Sequence, residues 1–270
     1  MLNVRTIAFI GGGNMAEAII NGLQLDASGI DICVAEISAE RRSQIAQRFP
    51  GVQIVEDAAE AAGKGDIVIL AVKPQQAAGV LDQLERAITP DKLVISIMAG
   101  IPSAKIELNL ATGCRVVRAM PNTPALIGAG ATAVSCGHKA TAADLDVALQ
   151  LFSLTGSAIS VDEKQMDAVT ALSGSGPGYV FTFIEALADA GVKCGLPRDV
   201  AAQLATQTVL GAARMVAETG EHPAVLKERV TSPGGTTIAG LHALEIGCFR
   251  GTIMNGVEAA CNRSRELAGK

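Results

Sequence analysis

The stretch RTIAFIGGGNMAEAII, residues 5–20, decides how the chain folds. Residues 5–10 form a short β-rich run, and Gly11-x-Gly13-x-x-Ala16 follows it directly and opens a helical segment. In a strand–turn–helix context this spacing suits a dinucleotide. Gly11 permits the tight turn, Gly13 lets the backbone approach a pyrophosphate, and Ala16 lets helix and strand pack closely. The first amides of the helix then face the phosphates. Taken alone the pattern also fits an ordinary strand–helix turn. The βαβ unit that follows it favours the nucleotide reading.

Outward from this turn, β-rich runs recur at 31–36, 52–55, 66–72, 92–98, 114–120, 132–136 and 157–161. Stretches rich in Ala, Glu, Gln and Leu separate most of them. Apolar runs alternating with helices predict a parallel, doubly wound α/β sheet covered on both faces. After residue 162 the strand runs stop. Val180, Phe183, Ile184, Leu187 and Ala188 recur at helical spacing, and Gly195 with Pro197 ends one helix and starts the next. Leu204, Thr208, Gly211, Met215 and Val216 share one face of a helix ending near Gly220. A short helix follows His222-Pro223, and a last one runs over about 249–267. The expected domains are therefore 1–160, a dinucleotide-binding sheet, and 161–270, all helical. So few helical residues, rich in Ala and Gly, make a thin core, which predicts packing against a second copy.

Bulk properties narrow the function. The chain has 270 residues, 49% of them hydrophobic, and a net charge of −5. No Lys/Arg cluster exceeds Arg41-Arg42, which argues against nucleic acid or an anionic membrane as partner. No run of 18 or more apolar residues or signal-type segment is present, so a cytoplasmic protein is expected. The six cysteines are scattered and the three histidines lie apart from them, so no metal site is expected.

The second strand run ends at Glu36, about 20 residues past Ala16, where an acid binds the ribose 2′-hydroxyl and favours NAD. Ser38 and Arg41 follow, and could instead receive a 2′-phosphate; Arg41 fits a solvated helix turn equally. Segments 71–74 (AVKP), 96–100 (SIMAG) and 118–124 (RAMPNTP) fall at carboxyl ends of strands, where ligands bind in such sheets. Lys73 reads as a backbone contact with the cofactor, ahead of a catalytic acid or a phosphate contact.

A second glycine turn lies at 232–237, SPGGTT. Gly234 and Gly235 can take conformations other residues avoid, and Thr236 or Thr237 stands where a helix begins. Amides at such an end suit a carboxylate or phosphate, and a plain capped turn is the alternative. With the first turn given to a cofactor, the second is expected to hold the anionic group of a substrate.

The segments FIGGGNMAEAI, AVKP, RAMPNTP, DAVTALSGSGPGYVF, GEHPAVLKERVTSPGGTTI and GCFRGTIMNGVEAA occur in that order. Together they resemble the pyrroline-5-carboxylate reductase family over essentially the whole chain. The resemblance implies reduction of the cyclic imine 1-pyrroline-5-carboxylate to L-proline with NADP(H) or NAD(H). It implies a Rossmann-type domain followed by an all-α domain that interleaves with a partner's, giving a homodimer and a possible decamer. By position, Ile10, Gly11, Gly12, Gly13, Asn14 and Met15 would cradle the pyrophosphate. Ala71, Val72, Lys73 and Pro74, with Ile97, Met98 and Ala99, would line the nicotinamide side. Glu163 resembles the family's acidic residue near bound proline. Gly234, Gly235, Thr236 and Thr237 resemble the substrate loop, with Thr237 reaching the ring nitrogen. Glu36-Ile37-Ser38 departs from the small polar residues common there in the family, which leaves NADPH against NADH open. A β-hydroxyacid dehydrogenase shares this layout but carries a lysine in the helix after its Gly-rich segment; Gly178 to Glu185 has none. A nucleotide-binding sensor would need no second turn.

Overall fold

A computed structural model describes residues 4–26 and 29–269. Eight strands form one sheet: β1 (Thr6–Ile10), β2 (Asp31–Ala35), β3 (Gln53–Val55), β4 (Ile67–Leu70), β5 (Leu93–Ser96), β6 (Arg115–Met120), β7 (Gly130–Cys136) and β8 (Gly156–Ser160). Their spatial order is β3-β2-β1-β4-β5-β6-β7-β8. Every pairing is parallel except β6 with β7. That exception has a simple cause. The link from Met120 to Gly130 holds only a 3₁₀ turn over Thr123–Ile127, closed by left-handed Gly128, and is too short for a crossover helix.

Strand alternation sorts the core into two layers. Ile7 and Phe9 of β1 face one side, with Ile67, Ile69, Ile95 and Val117. The helices α1 (Asn14–Leu25), α2 (Ala39–Arg48) and α6 (Ala142–Ser153) cover that side through Ile19, Ile45 and Phe152. Ala8 and Ile10 face the other side, under α3 (Ala58–Lys64), α4 (Ala77–Leu84) and α5 (Ser103–Leu108), which contribute Ala61, Leu81 and Ile106. A period of two along each strand and helices on both faces give the doubly wound α/β layer.

The contacts divide the chain into two compact units, 1–175 with 260–270 and 176–259. The first also holds the four-residue α7 (Met166–Val169) and the end of the last helix, α12 (Phe249–Leu267), where Ser264 Oγ lies 2.9 Å from Asp167 Oδ1. The second is all helical: α8 (Gly176–Lys193), α9 (Arg198–Thr219), α10 (Pro223–Arg229), α11 (Thr236–Ile246) and the first part of α12. Its breaks fall at Gly195 (φ 102°), which ends α8, and Gly220 (φ 65°), which ends α9. His222 caps α10, its Nδ1 accepting from the Ala224 amide at 3.2 Å. Among the described residues of this unit, the buried apolar side chains are Ala188, Ala201 and Ala205. Leu204 and Met215 stay 54% and 53% exposed on one face of α9. Among the described residues, no helix is long and apolar enough to cross a membrane.

Candidate active site

The first glycine turn is built by main-chain bonds. The Gly11 amide donates to the Ala35 carbonyl at 2.8 Å, and the Ala71 amide donates to the Ile10 carbonyl at 2.8 Å. These tie the end of β1 to β2 on one side and β4 on the other. Gly11 has φ 100°, and a Cβ there would stand 2.7 Å from the Ala71 carbonyl oxygen, so no other residue fits. Gly12 is walled in by Ile45, which a side chain would meet at 2.3 Å. Gly13 differs from both. It precedes α1 in an extended conformation, with no side chain to cap the helix and open space where a Cβ would be. The first amides of α1 have no intrahelical acceptor and face that space. A pyrophosphate fits this cradle by shape and by charge.

A cavity of about 640 Å³ opens at the turn. Of the residues expected to bind cofactor, Ile10, Gly11, Gly13, Glu36, Ser38, Ala71, Val72 and Lys73 line it. A second cavity of about 430 Å³ shares Gln75 with the first and is lined by Pro74 and Ala99. Lys105 and Arg263 lie on its wall. The remaining expected residues line neither. Gly12 sits beneath Glu36, while Asn14 is exposed and Met15 half-buried in the first turn of α1. Met98 is buried in the core and Ile97 half-buried; the Ile97 amide donates to the Leu70 carbonyl at 3.1 Å. Arg41 is turned inward.

The carboxyl end of β2 is a tight network. Glu36 accepts from the Gly12 amide (2.9 Å) through Oε2 and from the Ser38 amide (2.9 Å) through Oε1. Ser38 caps α2, its Oγ accepting from the Arg41 amide at 3.3 Å. Arg41 Nε donates to the Gly12 carbonyl at 2.6 Å, and its Nη2 pairs at 2.9 Å with Glu17, whose side chain is only 7% exposed. Arg48 pairs with the other oxygen of Glu17 at 2.9 Å. Sequence reading assigned no role to Gln75, Gln76 and Glu56, which also line the larger cavity. Gln75-Gln76 directly follow AVKP at a strand's carboxyl end, and that position was the available signal.

Glu163 stands just beyond β8, and both of its oxygens are engaged. Oε1 accepts from the Ser103 amide (2.7 Å) and from Arg118 (2.9 Å); Oε2 accepts from the Ser103 hydroxyl (2.5 Å). Burial pushes this carboxyl up, but the bonds from Ser103 and Arg118 outweigh burial and hold it below its ordinary value. The result is a brace from β6 to the start of α5, next to the segment of Ile97, Met98 and Ala99.

The second glycine turn lies in the helical unit. Gly234 has φ 65°, the Gly235 amide donates to the Ser232 carbonyl at 3.1 Å, and Gly235 starts α11 without a side-chain cap. Thr236 and Thr237 are the first two residues of α11. Elsewhere Thr206, Thr208 and Thr219 spend their hydroxyls on the carbonyl four residues earlier. For Thr236 and Thr237 that carbonyl lies outside the helix, so their hydroxyls are left for other acceptors or donors. Both turns thus present the uncapped, glycine-led N-terminus of a helix of at least 11 residues. Among the described residues, no group of three or more His, Cys, Asp or Glu is placed to hold a metal ion.

The fold and these sites can be set beside known proteins. Residues 163–267 match the family model for pyrroline-5-carboxylate reductase dimerisation, and residues 6–100 match that for NADP oxidoreductase, coenzyme F420-dependent. A pyrroline-5-carboxylate reductase of Arabidopsis thaliana is 47% identical over 97% of this chain and 95% of its own length. The structure of a pyrroline-5-carboxylate reductase from Coxiella burnetii superposes with a TM-score of 0.92, at 39% identity, over 98% of this chain and 99% of that one. The crystal structure of the Plasmodium falciparum pyrroline carboxylate reductase with NADP bound gives 0.87, at 34% identity, over 99% of each chain.

Proposed function

Because the chain belongs to the pyrroline-5-carboxylate reductase family, we propose how its two glycine turns divide the work of the reaction. The enzyme reduces 1-pyrroline-5-carboxylate to L-proline, closing proline biosynthesis. A bound NAD(P)H supplies the hydride.

The first turn holds the cofactor. Ile10 to Met15 cradle the pyrophosphate: Gly11 and Gly12, whose amides serve Ala35 and Glu36, let the main chain come close, and the amides of Gly13, Asn14 and Met15 grip it. Ala71 to Pro74 and Ile97 to Ala99 set the nicotinamide side, and Glu36 and Ser38 meet the adenosine ribose. Arg41 serves the same site by fixing the Gly12 carbonyl. The second turn holds the substrate. The amides of Gly234 and Thr236, on either side of Gly235, take its carboxylate, as the positive end of α11 favours an anion. The Thr237 hydroxyl meets the imine nitrogen. A protonated imine carbon accepts hydride without a nucleophile or a metal, so positioning is the main demand on the protein. Glu163 acts on the substrate side by holding the Ser103 end of the loop that begins at Ile97.

The observation that carries this reading is the pair of uncapped, glycine-led helix starts, one beside a cavity of dinucleotide size and one bearing two uncommitted hydroxyls. The chain acts as a dimer through its helical unit, and assembly of dimers into a decamer and a cytoplasmic location complete the proposal. The test is oxidation of NADPH and NADH by purified protein with pyrroline-5-carboxylate, in wild type and Thr237→Ala. The variant should lose turnover by about a hundredfold, the scale of removing one positioned donor. Thr237→Ser should restore most of it. Unchanged turnover in Thr237→Ala would remove the hydroxyl from the mechanism.

A further inference from the structure

The adenosine end of the cofactor cavity already contains its own anion, and we propose that Glu36 makes this enzyme prefer NADH to NADPH. The proposal rests on the first turn being the dinucleotide site and adds to it the choice between the two dinucleotides, which differ only by the 2′-phosphate.

Three observations carry it. First, the carboxylate of Glu36 is fixed rather than free. The Gly12 and Ser38 amides hold one oxygen each at 2.9 Å. Each carboxylate oxygen keeps a further lone pair for a ribose hydroxyl. Second, the Ser38 amide leads into α2, the helix end toward which a 2′-phosphate would turn. Glu36 takes that amide, so a protein carboxylate occupies the place of the phosphate. Glu56 lines the same cavity, where Arg42 pairs with it at 3.3 Å.

Third, the nearby cations are committed elsewhere. Arg41 donates from Nε to the Gly12 carbonyl (2.6 Å) and from Nη1 to Gln44 (3.1 Å), and its buried Nη2 makes an ion pair, not a hydrogen bond, with Glu17 at 2.9 Å. Arg42 donates from Nη1 to the carbonyls of Glu36 (2.8 Å) and Ile37 (2.9 Å), and its Nη2 lies 3.3 Å from Glu56. Lys73 follows β4, which is separated from β2 by β1, a distance of roughly 10 Å at the usual strand spacing. A dianionic 2′-phosphate would meet the Glu36 carboxylate, and an arginine could reach it only by abandoning its present partners. The free 2′-hydroxyl of NADH meets an acceptor instead.

The test measures binding and turnover separately. Dissociation constants for NAD⁺ and NADP⁺ come from calorimetry, and kcat/KM for NADH and NADPH from assays with pyrroline-5-carboxylate. The wild type should favour the unphosphorylated dinucleotide at least tenfold in both. Glu36→Ser should lower that ratio tenfold or more, by gaining NADPH and losing NADH. Glu36→Gln keeps an acceptor for the Gly12 amide and should move the ratio the same way by less, which guards against a fold defect in the serine variant. Equal or tighter binding of NADP⁺ by the wild type would overturn the proposal, as would a ratio unmoved by both Glu36 variants. Binding of neither dinucleotide would overturn the cofactor site and this proposal with it. Selective binding without imine reduction would overturn the proposed reaction alone and leave Glu36 supported.

Discussion

The sheet unit and the helical unit solve the burial problem in opposite ways. In the sheet unit each strand sends alternate residues into two layers, and both layers are closed by helices of the same chain. Phe9, Ile19 and Phe152 are fully shielded on one side, as are Val68, Leu81 and Ile106 on the other. In the helical unit α8 and α9 pack through small residues, yet the buried set is three alanines. Larger apolar side chains such as Phe181, Leu204 and Met215 lie open in the single chain. The first unit carries a complete core, and the second carries one half of a core. The match of residues 163–267 to a dimerisation model fits a core of this kind.

Four experiments press on that contrast. The largest effect is expected in the complete core. Phe152→Ala empties a fully buried site and should cost about 3–5 kcal/mol of unfolding free energy, the same at every protein concentration. Leu204→Asp strikes the half core. It should weaken association by about 2 kcal/mol or more, seen as a shift toward monomer in sedimentation, and its thermal midpoint should become more concentration-dependent. A wild type that sediments as a monomer would defeat the idea of a shared core.

Within the sheet unit, Glu163→Gln tests the brace between β6 and α5 and should cost about 1.5 kcal/mol near neutral pH. The sign of its pH dependence follows from the lowered carboxyl. Glu163 contributes stability above its unfolded value, and the contribution drains away as pH falls through the still lower folded value. Denaturation curves of wild type and variant should therefore converge in acid; a gap that persists there would show that the charge is not what matters. The smallest effect is expected on the outside of α9. Arg214 and Glu218 form an exposed i,i+4 pair, and Glu218→Gln should change stability by less than about 0.5 kcal/mol.

Much of the architecture was legible because it is local. Alternating apolar runs located all eight strands, and Gly195, Gly220 and His222-Pro223 marked the helix breaks of the second unit through backbone conformations few other residues adopt. The orientation of β7 was not legible, since pairing direction depends on the length of one link and on which edge is free. The destination of the last residues of α12 was hidden for a similar reason: the Ser264 bond to Asp167 spans 97 positions. At the site, the glycine turn declared itself by spacing, and Glu36 by its distance from that turn. What could not be read was the commitment of Arg41. It depends on Glu17, which the helix period alone places in an ordinary first turn and only the packed α2 buries. Glu163 gave a type of residue but no partners, because Ser103 arrives from the start of α5 and Arg118 from within β6.

The Gly11 turn has a consequence for how such an enzyme changes over time. Its grip on the half of the cofactor common to both reductants is made of main chain, and no codon specifies a main-chain amide. Glu36, by contrast, is one codon. A lineage can move between the catabolic and the biosynthetic pools of reducing power by altering that residue, while the turn beside it stays unchanged under drift.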